Sequence, residues 1–180
     1  MPKYMITTQS ITYKDRILYR IQSMENFSDV KKGYYGGFIE KTENLSQFGD
    51  CWIYDDAKIY DNALIIENAK IYGNATVYDN AIVMGNATIS ENATIYGDVD
   101  ICTYASISGN AKIYDNATVY GAARVYDNAE VFGRSSVFGD AQVFENAKIF
   151  ENAKVCGFST VHNNAQVGGE RKIEFDDDIV

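Results

Sequence analysis

The chain has 180 residues, 46% apolar and 13% aromatic, with 16 basic against 25 acidic side chains and a formal net charge of -9. That is enough apolar material for one packed domain, and no apolar run approaches the ~20 residues a membrane-spanning helix needs. The negative excess repels phosphate and argues against direct nucleic-acid binding.

At the N-terminus, Tyr4-Met5-Ile6-Thr7 and Ile17-Leu18-Tyr19-Arg20-Ile21 read as two strands joined through the polar turn Tyr13-Lys14-Asp15-Arg16. Residues 1–44 are therefore expected to form a β-hairpin region that caps the segment from residue 45 onward. Gly33, Gly36 and Gly37 would let the chain bend onto the next element. The N-terminus has no basic region followed by an apolar stretch and a small-residue cleavage site, so the cytoplasm is the expected location.

Residues 45–173 carry a six-residue period. An aliphatic residue recurs without insertion at Ile53, Ile59, Ile65, Ile71, Val77, Val83, Ile89, Ile95 and onward through Val167 to Ile173. Two residues ahead of most of them stands a small one, as at Ala57, Ala63, Ala69 and Ala75, usually preceded by Asn. Such a period predicts a solenoid. The β-branched residue and its aromatic neighbour suit a short strand whose side chains alternate inward and outward, and the Gly-Asn or Asp-Asn pairs suit corners. Three strands and three corners close a triangular coil of about eighteen residues, which gives about seven turns. Residues 174–180, with Glu174-Phe175-Asp176-Asp177-Asp178, form an acidic tail.

The unit Asn-Ala-x-(Ile/Val)-(Tyr/Phe)-(Asp/Gly/Glu) resembles the hexapeptide-repeat family, and the resemblance implies an all-β left-handed parallel β-helix. The leader, from Leu18-Tyr19-Arg20-Ile21 through Gly36-Gly37-Phe38-Ile39-Glu40 to Gly49-Asp50-Cys51-Trp52-Ile53-Tyr54, is similar to that of short phage and bacterial members often labelled acyltransferases. Enzymes of the wider family bind acetyl-coenzyme A or an acyl carrier between subunits of a trimer and use a histidine as general base. Here the one histidine is His162, on the outward position after Val161, and no loop projects from the repeats. The resemblance thus implies His162 as the catalytic residue and acetyl-coenzyme A as the cofactor if the chain is an acyltransferase.

Taking every eighteenth residue sorts the surface into faces. One carries Tyr60, Tyr78, Tyr96, Tyr114, Phe132 and Phe150; a second carries Trp52, Tyr54, Tyr72, Tyr126 and Phe144 with Ser90 and Ser108 between; a third begins Leu64, Ile66, Ile82 and Met84. An aromatic strip of that length exceeds the apolar patch normal for a soluble monomer, so it is expected to meet a protein partner or a second copy in a dimer or trimer. The hairpin is expected to be able to cover the Leu64–Met84 stretch. Carboxylates line two corners: Asp61, Asp79, Asp115 and Glu151 on one, Asp55, Glu91, Asp127 and Glu145 on the other.

The resulting expectation is a non-catalytic binding or inhibitory scaffold that uses this aromatic and acidic surface, competing for a basic groove that normally holds nucleic acid. The alternatives are an acyltransferase and a self-associating structural module. Cys102 and Cys156 fall on one outward column three turns apart, too far for a disulfide, and Cys51 takes an inward position. No metal or resident cofactor is expected from these residues.

Overall fold

In the computed structural model, which describes residues 2–180, the repeats form two-residue strands one every six residues, starting at Trp52–Ile53. Each strand pairs in parallel with the strand eighteen residues on: Ile59 with Val77, Val77 with Ile95, Ile95 with Ile113. Backbone bonds follow the same spacing, as in Tyr78 N–H to Ile95 C=O (3.0 Å) and Tyr96 N–H to Ile113 C=O (3.0 Å). Three sheets result, of ten, eight and seven strands. The aliphatic residues and the corner alanines fill the interior, with residues such as Ile59, Ala75, Ile95 and Ala111 fully buried. An aliphatic spans the distance between sheets, whereas near a corner the approaching backbones leave room for a methyl group only.

The eight-stranded sheet ends on Asp178–Ile179, which pairs with Thr160–Val161, so the acidic residues 174–178 carry the repeat on to one more strand and are not a free tail. At the other end residues 35–39 and Leu45 pair in parallel with Lys58–Ile59 and Ile65, and with these the solenoid makes about eight turns where residues 45–173 alone imply about seven.

The cap is built as expected at its tip and differently at its base. Strand β1 (Tyr4–Tyr13) pairs antiparallel with β2 (Arg16–Ser23), and both connecting residues, Lys14 and Asp15, have positive φ (48° and 62°), as a two-residue turn between twisted strands requires. A third strand, β3 (Tyr35–Ile39), pairs antiparallel with β2 on one side and parallel with Lys58–Ile59 on the other. The hairpin therefore continues the first sheet of the solenoid and removes its exposed edge. Gly36 and Gly37 do not bend the chain. They lie inside β3, where a Cβ at Gly36 would stand 2.6 Å from the Ile53 carbonyl oxygen and one at Gly37 2.5 Å from Ile53 Cγ2. Gly33 is the one of the three with a left-handed φ (+86°).

Nor does the hairpin cover Leu64, Ile66, Ile82 and Met84. It reaches the Tyr60 face: Tyr13 meets Tyr60 edge-on at 6.0 Å, Lys14 Nζ lies 4.9 Å from the centre of the Tyr78 ring, and Arg16 pairs with both Glu40 (3.0 Å) and Asp61 (2.5 Å). On the Leu64 side the cap contributes a short turn, Thr42–Asn44, and the bridge of Leu45 to Ile65. Asn44 donates from Nδ2 to the Ala63 carbonyl (2.9 Å), supplying the first coil with the bond that a preceding coil would make. Trp52 is fully buried under the cap, edge-on to Tyr4 (6.2 Å) and Phe27 (5.5 Å). Tyr54 donates to Asp29, which also pairs with Lys70; the Lys70 hydrogen bond is the main reason the Asp29 carboxyl is pulled down to about 2.

Candidate functional site

The eight carboxylates named from the sequence share one conformation. Asp55, Asp61, Asp79, Glu91, Asp115, Asp127, Glu145 and Glu151 all occupy the left-handed corner position, with φ between 51° and 60°. In that position the backbone N–H is not used by the ladder between coils. The carboxylate one coil earlier accepts it: Asp55 from Gly73 N–H (2.9 Å), Asp79 from Gly97 (3.1 Å), Glu91 from Gly109 (3.0 Å) and Asp115 from Gly133 (3.1 Å). Asp127, Glu145 and Glu151 do the same for Glu145, Asn163 and Gly169. Asp61 instead pairs with Arg16 of the cap.

Glycine alternates with acidic residues along part of these columns, whereas Asp61–Asp79 and Asp127–Glu145–Asn163 stack side chain on side chain; at the glycines the approach of the next coil is close. A Cβ at Gly97 would lie 2.6 Å from the carbonyl oxygen of Asp115 above it. Beside the carboxylates, corner asparagines bond amide to amide up the stack, as in Asn92 to Asn110 (3.3 Å) and Asn110 to Asn128 (3.1 Å), the ladder that identical stacked chains make. The acidic columns are thus a structural device, although their outer edge still lines an open groove of about 850 Å³ running from Asp61 to Glu151 and including Arg134.

The ladder from Tyr60 to Phe150 is continuous. Its ring centres are spaced 4.8, 5.1, 5.0, 4.8 and 5.5 Å and its planes lie within 14° of parallel. Tyr60 is buried beneath the cap, and Tyr78, Tyr96, Tyr114, Phe132 and Phe150 are all half-buried in the single chain. The rings cover one another's faces and present mainly their edges, so much of the area that suggested a covering partner is already buried within the stack.

On the second face, Tyr126, Phe144 and His162 form a shorter stack with centres 4.9 Å apart and planes within 2°. His162 thus occupies a ladder position. Its Nε2 lies 2.9 Å from Asp178 Oδ1 and its Nδ1 3.8 Å from Glu145 Oε2. The Thr160 hydroxyl also donates to Asp178 and, with His162, holds that carboxyl below its ordinary range. An ionised Asp178 keeps a proton on Nε2, leaving Nδ1 as the nitrogen able to accept another. Asp178 was hidden in the sequence as part of an acidic tail; the eighteen-residue register, which places it beside Thr160, is the signal that finds it.

Cys51, Cys102 and Cys156 are free. Cys51 is inward as expected, with Lys3 Nζ 3.3 Å from its sulfur, and burial pushes its thiol up. Cys156 is outward by register but only 7% exposed. Among the described residues there is no cluster able to hold a metal ion, and no helix is long and apolar enough to cross a membrane.

The coils, three parallel sheets and corner ladders define a β-solenoid of hexapeptide period. The YdcK β-solenoid repeat is matched at residues 69–85 and 111–127. The chain is also similar to the uncharacterized acetyltransferase YdcK of Escherichia coli (strain K12), with 38% identity over 55 residues, which is 31% of this chain and 17% of that protein.

Proposed function

We propose that the chain acts on acyl thioesters, with His162 as general base and Asp178 as the residue that positions it. The carrying observation is the pair itself: a partly buried imidazole fixed by an aromatic stack on one face and by an ionised carboxylate at 2.9 Å, which leaves one nitrogen to take a proton. The similarity to a protein named as an acetyltransferase supports the same chemistry. In the proposed step Nδ1 removes the proton of an acceptor hydroxyl or amine, the acceptor attacks the thioester carbonyl, the carbon–sulfur bond breaks and the proton passes to the departing thiolate. Acetyl-coenzyme A is the donor to try first. The test is thiol release from it in the presence of a panel of small amines and sugars. Turnover by the intact chain that His162→Ala removes is the expected result, and no thiol release with any acceptor would overturn the proposal.

A second reading, a scaffold that binds a protein partner, is favoured by the open carboxylate groove along Asp61, Asp79, Asp115 and Glu151. It requires a basic partner whose complex weakens as salt is raised. Binding that is indifferent to salt would sink it.

A further inference from the structure

In a chain this regular, the informative residues are those that break the repeat without any need of the fold. Several breaks converge on the second face. Ser90 and Ser108 stand where the column otherwise carries Tyr54, Tyr72, Tyr126 and Phe144, so two adjacent ring positions are vacant and one face of Tyr126 is left uncovered. At the neighbouring corner, the position held by Asn68 and Asn86 in earlier coils is Tyr104 and then Ala122. Tyr104 is 65% exposed, although most aromatic residues of the solenoid stack against a neighbour. The residue before it, Thr103, has φ 65°, a conformation that a β-branched side chain rarely adopts and that the other corners give mainly to Gly, Asp or Glu.

These departures enclose a notch of about 520 Å³ lined by Tyr104, Ser106, Ser108, Ala122, Arg124, Tyr126 and Gln142. Its floor is made of small side chains. Tyr126 closes one end and is held by its hydroxyl, which donates to Gln142 Oε1 (3.3 Å). The hydroxyls of Ser106 and Ser108 have no hydrogen-bond partner among the described residues, and the exposed Arg124 guanidinium makes neither an ion pair nor a hydrogen bond with any of them. The site therefore offers a ring face at ladder spacing, two unused hydroxyls and an unpaired cation, with no carboxylate in its lining.

We propose that this notch binds a planar aromatic ring carrying an anionic group: the ring extends the ladder by stacking on the free face of Tyr126, Ser106 and Ser108 hydrogen-bond its polar edge, and Arg124 pairs with the anion. Base–aromatic stacking and a charge-assisted bond to guanidinium are together the recognition chemistry of a nucleotide. The inference does not depend on acyl transfer, since His162 lies two ladder steps away and takes no part in the notch.

The test uses the full chain and AMP, FMN, adenosine and inorganic phosphate as probes, followed by calorimetry and by amide chemical shifts. Ser108→Tyr is the decisive variant, because it puts a ring into a position where the fold already accepts one and so fills the notch while keeping the coil intact. AMP or FMN is expected to shift the amides of residues 104–126, Ser108→Tyr to abolish binding, and Arg124→Gln to weaken the anionic probes about tenfold or more while leaving adenosine unchanged. Binding that survives Ser108→Tyr, or the failure of both AMP and FMN to bind at millimolar concentration, would overturn the proposal. Inorganic phosphate binding as tightly as AMP would also overturn it, because the ring would then contribute nothing.

Discussion

Replacing Gly37 by valine should detach the cap. The missing side chain is what lets β3 lie against the first coil: a Cβ there meets Ile53 Cγ2 at 2.5 Å and the Ala57 carbonyl oxygen at 2.6 Å. That carbonyl also accepts the Phe38 N–H at 2.9 Å, so relief of the clash breaks the bond that joins the hairpin to the solenoid. Overpacking alone costs about 1–3 kcal/mol, and loss of β3 adds the exposure of Trp52, Tyr4 and Ile53. Trp52 is the only tryptophan and is fully buried beneath this segment, so its emission reports the event directly. We expect a red shift in Gly37→Val together with concentration-dependent growth in mass, as the uncovered sheet edge pairs with other copies. Unchanged emission and a monodisperse sample would contradict this account of the cap.

The second large effect belongs to the core. Ile95 is fully buried, with Val77 and Ile113 as its ladder partners in the coils below and above. Truncation to alanine should cost about 2–5 kcal/mol, against about 0.5–1.5 kcal/mol for Ile95→Val, because adjacent coils are held by continuous backbone ladders and collapse poorly around a void. Each coil touches only its neighbours, so the loss should first loosen the coils around residue 95 and leave the ends folded. Urea unfolding followed by amide exchange reads both effects. A cost below that of Ile95→Val would show that the interior is not packed as described.

The solenoid was legible because its cause is local and repeated: one aliphatic in six residues fixes the inward register from Ile53 to Ile173, and the tail carries it on to one more strand at Asp178–Ile179. Less of the cap could be read. The segment Tyr35-Gly-Gly-Phe-Ile39 is a strand because its glycines admit Ile53 and Trp52, and a close approach between segments leaves no periodic trace in either of them.

The surface was legible by position but not by role. Eight corner carboxylates could be read from the spacing and a ninth, Glu67, which accepts the Gly85 N–H in the same way, could not; for all but Asp61 the work depends on a backbone N–H eighteen residues away whose freedom comes from a left-handed corner. The aromatic column was likewise found from spacing, whereas the fact that its rings cover one another depends on the rise between coils. His162 was placed on its face, but its partner Asp178 became visible only once the tail joined the coil.

The proposed role of His162 as a base positioned by Asp178 is read from the rate of thiol release from acetyl-coenzyme A in the intact chain, in His162→Ala and in Asp178→Asn. A loss of about 10²–10⁴-fold is expected in His162→Ala, and in Asp178→Asn a lower kcat with KM little changed. Equal rates in all three proteins, or no thiol release in any, would contradict it.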